Sequence, residues 1–189
     1  MNSLLKIKNK IITVDDYLTI SKEDDFKNKK IVFTNGCFDL LHRGHVEYLS
    51  QASDKGDILI VGLNTDASVQ RLKGKHRPIV DEYARALVMA SLLFVDFVIF
   101  FDEDTPYQLI KKIQPDILVK GSDYDENSIV GADIVKAKGG KVITIELTPN
   151  YSTSTIEKKN QRQCLIYSIY LNLIYPLRKK SYIRLSLIA

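Results

Sequence analysis

Apolar and polar positions run along the chain in blocks, and the blocks change period. Lys30–Asn35 (KIVFTN) is a short apolar run that stops at Gly36, which predicts a buried strand. Gly44–Lys55 sets Val46, Leu49 and Ala52 at helical spacing, and Gly56–Asp57 breaks that helix. Asp57–Asn64 (DILIVGLN) is a second continuous apolar run, as in a strand covered on both faces. The pattern then predicts a short helix over Asp66–Leu72, a basic turn-rich loop over Lys73–Pro78 (KGKHRP) and a helix over Asp81–Phe94. Three more strands come next, Asp96–Phe101, Asp116–Lys120 and Lys141–Leu147. Helices over Thr105–Ile113, with Pro106 in its first turn, and Gly131–Lys138 separate them. A last helix opens at Ser152 and runs to Lys159.

Strands alternate with helices throughout. Right-handed crossovers between parallel strands put helices on both faces of the sheet. The predicted fold class is therefore α/β, a doubly wound parallel sheet of five strands, with a core beginning near residue 28. Open sheets of this kind bind ligands at the carboxyl ends of their strands. The residues just after each strand are therefore the ones expected to carry the chemistry.

Composition limits the class without choosing a ligand. A chain of 189 residues, 45% hydrophobic and 26% charged, suits one soluble domain with one core. A net charge of +4 is too small to argue for nucleic acid. The two cysteines, Cys37 and Cys164, make no disulfide framework, so a reducing, cytoplasmic setting is expected. Met1–Lys10 lacks the apolar stretch of a secretory leader, and no run reaches the roughly 18 apolar residues of a membrane span. Cys164–Leu177 (CLIYSIYLNLIYPL), with Arg178-Lys179-Lys180 after it, is strongly apolar. It reads as a docking helix or subunit contact, with surface membrane attachment as the alternative.

After the first strand stands Asn35-Gly36-Cys37-Phe38-Asp39-Leu40-Leu41-His42-Arg43-Gly44-His45. Gly36 allows a sharp turn and close approach of the backbone to a ligand. The helix starting near Gly44 offers free amides and the positive end of its dipole, a natural anion site. His42 and His45, three apart, can both project toward that anion and suit a phosphoryl group whose charge grows during displacement. Read singly, His42 would be a helix cap and His45 a core histidine. A zinc site from Cys37, His42 and His45 lacks a fourth ligand at familiar spacing.

After the second strand come Asn64-Thr65-Asp66, where Asp66 reads as a helix cap, and the basic loop. After the fourth come Lys120-Gly121-Ser122-Asp123-Tyr124. There Lys120 can bind phosphate, Asp123 can accept from sugar hydroxyls and Tyr124 can stack on a ring. After the fifth comes Tyr151-Ser152-Thr153-Ser154, hydroxyls that read first as a helix cap.

The string GxFDxxHxGH is matched in full, and the chain resembles the HxGH nucleotidyltransferase superfamily, which transfers NMP from an NTP to phosphates or carboxylates. The resemblance covers roughly Lys10 to Lys159. It implies a Rossmann-like sheet, with His42, His45 and Lys73 as the catalytic groups around the α-phosphate and the leaving pyrophosphate. It implies nucleotide contacts from Thr34, Asn35, Gly36, Cys37, Phe38, Asp39, Gly44, Asn64, Asp66 and Arg77. It also implies contacts from Arg85, aimed from its helix at the phosphates, and from Ser152, Thr153 and Ser154, which match an ISTT-like motif. Without the family, Arg85 would be a plain surface arginine.

The string Val119–Tyr124 and the phrase Phe101–Pro106 (FDEDTP) resemble the heptose 1-phosphate adenylyltransferase branch, with Ser122 and Pro149-Asn150 as departures. That branch implies transfer of AMP from ATP to D-glycero-β-D-manno-heptose 1-phosphate, giving ADP-heptose for lipopolysaccharide. Lys120, Gly121, Asp123 and Tyr124 would then hold the acceptor. Mg²⁺ is expected on the ATP phosphates rather than in a cage of protein ligands, with Asp39 a candidate to help place it. Residues 1–159 would form the transferase domain and 160–189 an atypical tail. A separate kinase would supply the acceptor, and a homodimer is expected from relatives. The alternatives are a cytidylyltransferase for glycerol 3-phosphate or phosphoethanolamine, an FMN adenylyltransferase, or a nucleotide-binding protein without turnover.

Overall fold

A computed structural model of the chain describes residues 2–123, 128–149 and 151–157. It divides into two compact units, one ending at Thr153 and one starting at Ser154. Of the second, only residues 154–157 are described, and they are helical. Tyr124, the segment Cys164–Leu177 and the rest of the 160–189 tail lie outside the described residues.

The first unit runs α1 (Ser3–Lys8), β1 (Ile11–Ile12), α2 (Val14–Ile20), β2 (Ile31–Gly36), α3 (Arg43–Ser53), β3 (Ile58–Asn64), α4 (Asp66–Lys73), α5 (Glu82–Ser91), β4 (Phe97–Phe101), α6 (Tyr107–Ile113), β5 (Ile117–Gly121), α7 (Ala132–Ala137) and β6 (Lys141–Ile145). Every strand pairing is parallel, and the order across the sheet is β1-β4-β3-β2-β5-β6.

The doubly wound parallel sheet stands as the pattern predicts, with six strands where five were expected. The extra strand, β1, pairs through Ile11 and Ile12 with Val98 and Ile99. Two residues are too few to show a period, so the pattern could not reveal it. The elements before residue 28 also join the core, since Tyr17 of α2 is buried.

Successive residues of each central strand face opposite layers. Val32, Val61 and Val119 pack with Leu49 and Ala52 of α3 and Met89 and Ala90 of α5. Phe33, Ile60 and Leu118 pack with Leu109, Ile110 and Ile113 of α6 and Val135 of α7. Both faces are dry, which explains the unbroken apolar runs.

The strands start in register through aspartates. Asp57, Asp96 and Asp116 each stand just before a strand, and each accepts the amide that opens the neighbouring one. Lys30, Leu59 and Ile31 are the respective donors, all at 2.8 Å. At the other end the sheet has a switch point. β2 neighbours β3 on one side and β5 on the other, and it is at the carboxyl ends of such strands that open parallel sheets form their ligand crevice.

Candidate active site

The crevice is lined first by the turn after β2. Phe38 adopts a left-handed backbone (φ 43°), which non-glycine residues rarely do, and its ring lies edge-on against His45 at 5.1 Å between centroids. α3 then opens at His42, which stands at the cap position and makes no side-chain cap, while its carbonyl accepts the His45 amide at 2.9 Å. His42 and His45 stack with ring centroids 3.7 Å apart and planes 18° from parallel. Gly44 permits this packing: a Cβ there would lie 3.2 Å from His42 Nδ1 and 3.3 Å from Tyr151 Cβ.

The stacked rings are held neutral. Burial pulls His42 below the ordinary histidine value. His45 falls to about 4, through burial first and then the charges of His42 and Lys73, with the Leu40 backbone opposing. Both Nδ1 atoms are buried with no well-directed protein partner. A proton left there would be a buried, poorly satisfied donor, so the Nε2–H tautomer is favoured for both rings.

Across the switch point, Lys120 of β5 donates to Asn35 Oδ1 at the end of β2. Lys120 is buried, and its pKa is drawn down to about 8 by that burial, against the opposing pull of Asp123 and Cys37. Asp123 is exposed and folds back over Gly121, where an added Cβ would meet its Oδ1 at 2.5 Å. Lys73, the last residue of α4, is exposed and lies close enough to bias both His45 and Cys37.

Other residues expected at the nucleotide have partners within the protein. Thr34 is fully buried and shares a 2.8 Å hydrogen bond with Tyr48. Asn64 is buried too; its amide donates to Ser68 Oγ at 2.9 Å, and its Oδ1 faces Cys37 Sγ at 3.8 Å. Burial also raises the Cys37 thiol's pKa. Asp66 does not cap α4; Thr65 does, accepting from the Ser68 amide.

Asp39, the candidate for placing a metal, has both oxygens engaged. Oδ2 accepts from Arg77 at 2.6 Å, and Oδ1 accepts from the Ile79 and Val80 amides at 2.8 and 3.1 Å. Burial pushes its pKa up, but Arg77 and the two amides outweigh burial and the net shift is downward. Arg77 of the basic loop is thus tied to the first strand's turn. Among the described residues no three His, Cys, Asp or Glu side chains converge on a metal-sized point.

Arg85 is buried, not a surface residue. It is 2% exposed, and its guanidinium donates to three backbone carbonyls and to Asp66. Sequence patterns carry no signal for carbonyl partners, so this arrangement was not legible. Glu47 was also missed: it accepts from Arg43 at 2.6 Å and from Thr148 at 2.5 Å, fastening the segment before Ser152 to α3. Tyr151 adds its ring, 5.6 Å from the Arg43 guanidinium. Ser152 and Thr153 come directly after it; Ser154 opens the second unit.

A family model described as cytidylyltransferase-like matches residues 33–171, which include most of β2 and every element after it. The chain belongs to the cytidylyltransferase-like family. The nucleotidyltransferase class expected from the HxGH string therefore stands.

Curated relatives of this family member include the bifunctional protein HldE of Campylobacter jejuni subsp. jejuni serotype O:6. It is 53% identical over 152 residues, which is 80% of this chain and 32% of that one. HldE of Campylobacter curvus is 60% identical over 131 residues, 69% and 27% of the two chains. The chain spans about a third of the length of these relatives. Among solved structures, the lipopolysaccharide core biosynthesis protein from Thermoplasma volcanium superposes with a TM-score of 0.53 at 31% identity. That match covers 64% of this chain and 98% of the other. A pantoate-beta-alanine ligase from Francisella tularensis has a TM-score of 0.56 at 17% identity, a likeness of fold alone.

Proposed function

We propose that the chain transfers AMP from ATP to D-glycero-β-D-manno-heptose 1-phosphate, releasing pyrophosphate and forming ADP-heptose. The observation that carries this reading is the stacked His42/His45 pair at the start of α3, which follows β2, with Lys120 of the neighbouring β5 bonded to Asn35 at the end of β2. The relatives named HldE and the lipopolysaccharide core biosynthesis protein support the choice of acceptor, as does the Val119–Tyr124 string.

A sugar phosphate is already an anion near neutral pH, because its second pKa is about 6 by analogy with phosphoserine. It needs no general base. Its phosphate oxygen attacks the α-phosphorus of ATP in line, the bond to the β,γ-bridged pyrophosphate breaks, and pyrophosphate leaves. His42 and His45 donate Nε2–H to the α-phosphate and to the leaving group, the amides of α3's first turn share that charge, and Lys73 draws pyrophosphate away. Lys120, with Gly121, Asp123 and Tyr124, holds the acceptor, and Ser152 and Thr153 take the nucleotide phosphates.

Mg²⁺ would travel on the ATP phosphates and offset their charge. The engaged oxygens of Asp39 and the lack of a converging ligand set among the described residues fit that role better than a resident ion. On this reading residues 1–159 form the transferase domain. The setting is cytoplasmic, and a heptose kinase activity supplies the acceptor.

The test is pyrophosphate release with ATP or CTP against heptose 1-phosphate, glycerol 3-phosphate, phosphoethanolamine and FMN. Release with ATP and heptose 1-phosphate is expected. Release with CTP alone would move the assignment to a cytidylyltransferase, and none with any pair would make the chain a nucleotide-binding protein without turnover.

A further inference from the structure

Arg85 joins parts of the site that are distant in sequence. Its side chain is fully buried. Nε donates to the Val80 carbonyl at 3.0 Å, Nη1 to the Cys37 carbonyl at 2.6 Å, and Nη2 to the Asn64 carbonyl at 2.9 Å and to Asp66 Oδ1 at 2.7 Å. Four of the five N–H donors of the guanidinium are therefore spent on protein acceptors.

Each acceptor leads to a group with a role in transfer. Cys37 precedes Phe38, whose ring abuts His45, which stacks on His42. Asn64 ends β3, and Asp66 opens α4, which carries Lys73 at its far end. Val80 closes the basic loop containing Arg77. A planar fork that reaches four acceptors in fixed directions can hold three segments in one mutual geometry. A lysine, a point charge on a flexible stem, cannot.

We propose that Arg85 is a positioning residue that fixes the histidine pair and the basic loop relative to each other, acting through the Cys37, Asn64 and Val80 carbonyls and Asp66, and that it is not a ligand for the nucleotide phosphates. The kinetic part of this proposal rests on the transfer function given above; the structural part does not.

The test uses Arg85→Lys and Asp66→Asn, the second replacing a partly exposed, near-isosteric partner should the first fail to fold. Imidazole ¹⁵N spectra are simple here, because the chain has three histidines. The His42 and His45 signals should move in both variants. Turnover should fall roughly tenfold or more in Arg85→Lys, with the KM for ATP within about threefold of the parent. In a His42→Ala/His45→Ala background the same substitution should cost clearly less than it does in the parent, because the pair it positions against the basic loop is gone. A raised KM for ATP at unchanged turnover would overturn the proposal in favour of a direct phosphate contact, as would losses that multiply in that background. Lower thermal stability with unmoved imidazole signals would reduce Arg85 to packing. Absence of pyrophosphate release from the parent with every nucleotide would refute the transfer function, while the imidazole spectra would still decide the role of Arg85.

Discussion

Lys120 is the residue whose chemistry is most open to measurement. Its ammonium is buried beside Asn35, and burial lowers its pKa from the ordinary lysine value of 10.5 to about 8. Its positive charge is therefore present below about pH 8 and is lost as pH rises through that value. If Lys120 grips the acceptor's phosphate, the KM for the acceptor should climb from about pH 8 upward while the KM for ATP changes less. Lys120→Ala should raise the acceptor KM more than the ATP KM and abolish that alkaline limb. Steady-state kinetics between pH 7 and about 9.5 checks both, and a flat acceptor profile would remove Lys120 from the acceptor site. His42, His45 and Lys120 could be singled out in the sequence because they stand near strand ends in recognisable strings. The hydrogen bonds of Thr34, Asn64 and Arg85 could not be read there, because a sequence does not show which polar groups bond to each other.

The elements around the site are held by side chains whose partners lie far away in the chain. Asp39 fastens the basic loop by one ion pair and two amide hydrogen bonds. Asp39→Asn keeps the shape but loses the charge, so hydrogen exchange across residues 74–80 should quicken and the KM for ATP should rise a few-fold. Unchanged exchange would mean that the loop is held by something other than Asp39.

At the opposite end of the sheet, Asp96 accepts the Leu59 amide far from the crevice. Asp96→Ala should cost about 1 kcal/mol or somewhat more in a denaturant titration and leave turnover unaltered. The strands were readable because both faces of the sheet are apolar. Helix ends were less so: the predicted Asp81–Phe94 helix ends at Ser91, and the predicted start at Thr105 falls at Tyr107. Terminal residues there are set by local hydrogen bonds rather than by a period.

At the scale of the molecule, sheet order brings the site together. β2 and β5 are separated by about eighty residues of chain, yet they are neighbours, and their carboxyl ends carry Asn35 and Lys120. This arrangement was predictable in kind from the alternation of strands and helices.

The partly buried histidine pair also leaves a mark on stability. The folded-state pKa of His45, about 4, lies below the ordinary 6.5, so the unfolded chain binds more protons between those values. Its contribution is fully present above about pH 6.5 and is lost as pH falls toward 4. The loss should reach roughly 2 kcal/mol at pH 5. Melting temperatures should fall from pH 7 to pH 5 in the parent and fall less in His45→Asn; equal slopes would contradict the neutral state of that partly buried ring.

The measurement that bears most directly on the whole account is turnover in His45→Ala and in the His42→Ala/His45→Ala pair, at saturating ATP and heptose 1-phosphate. Pyrophosphate release should drop by roughly 10²–10³ in the single variant, the scale of one lost transition-state donor, with ATP still bound. Turnover equal to that of the parent would show that the stacked imidazoles do not meet the reacting phosphorus.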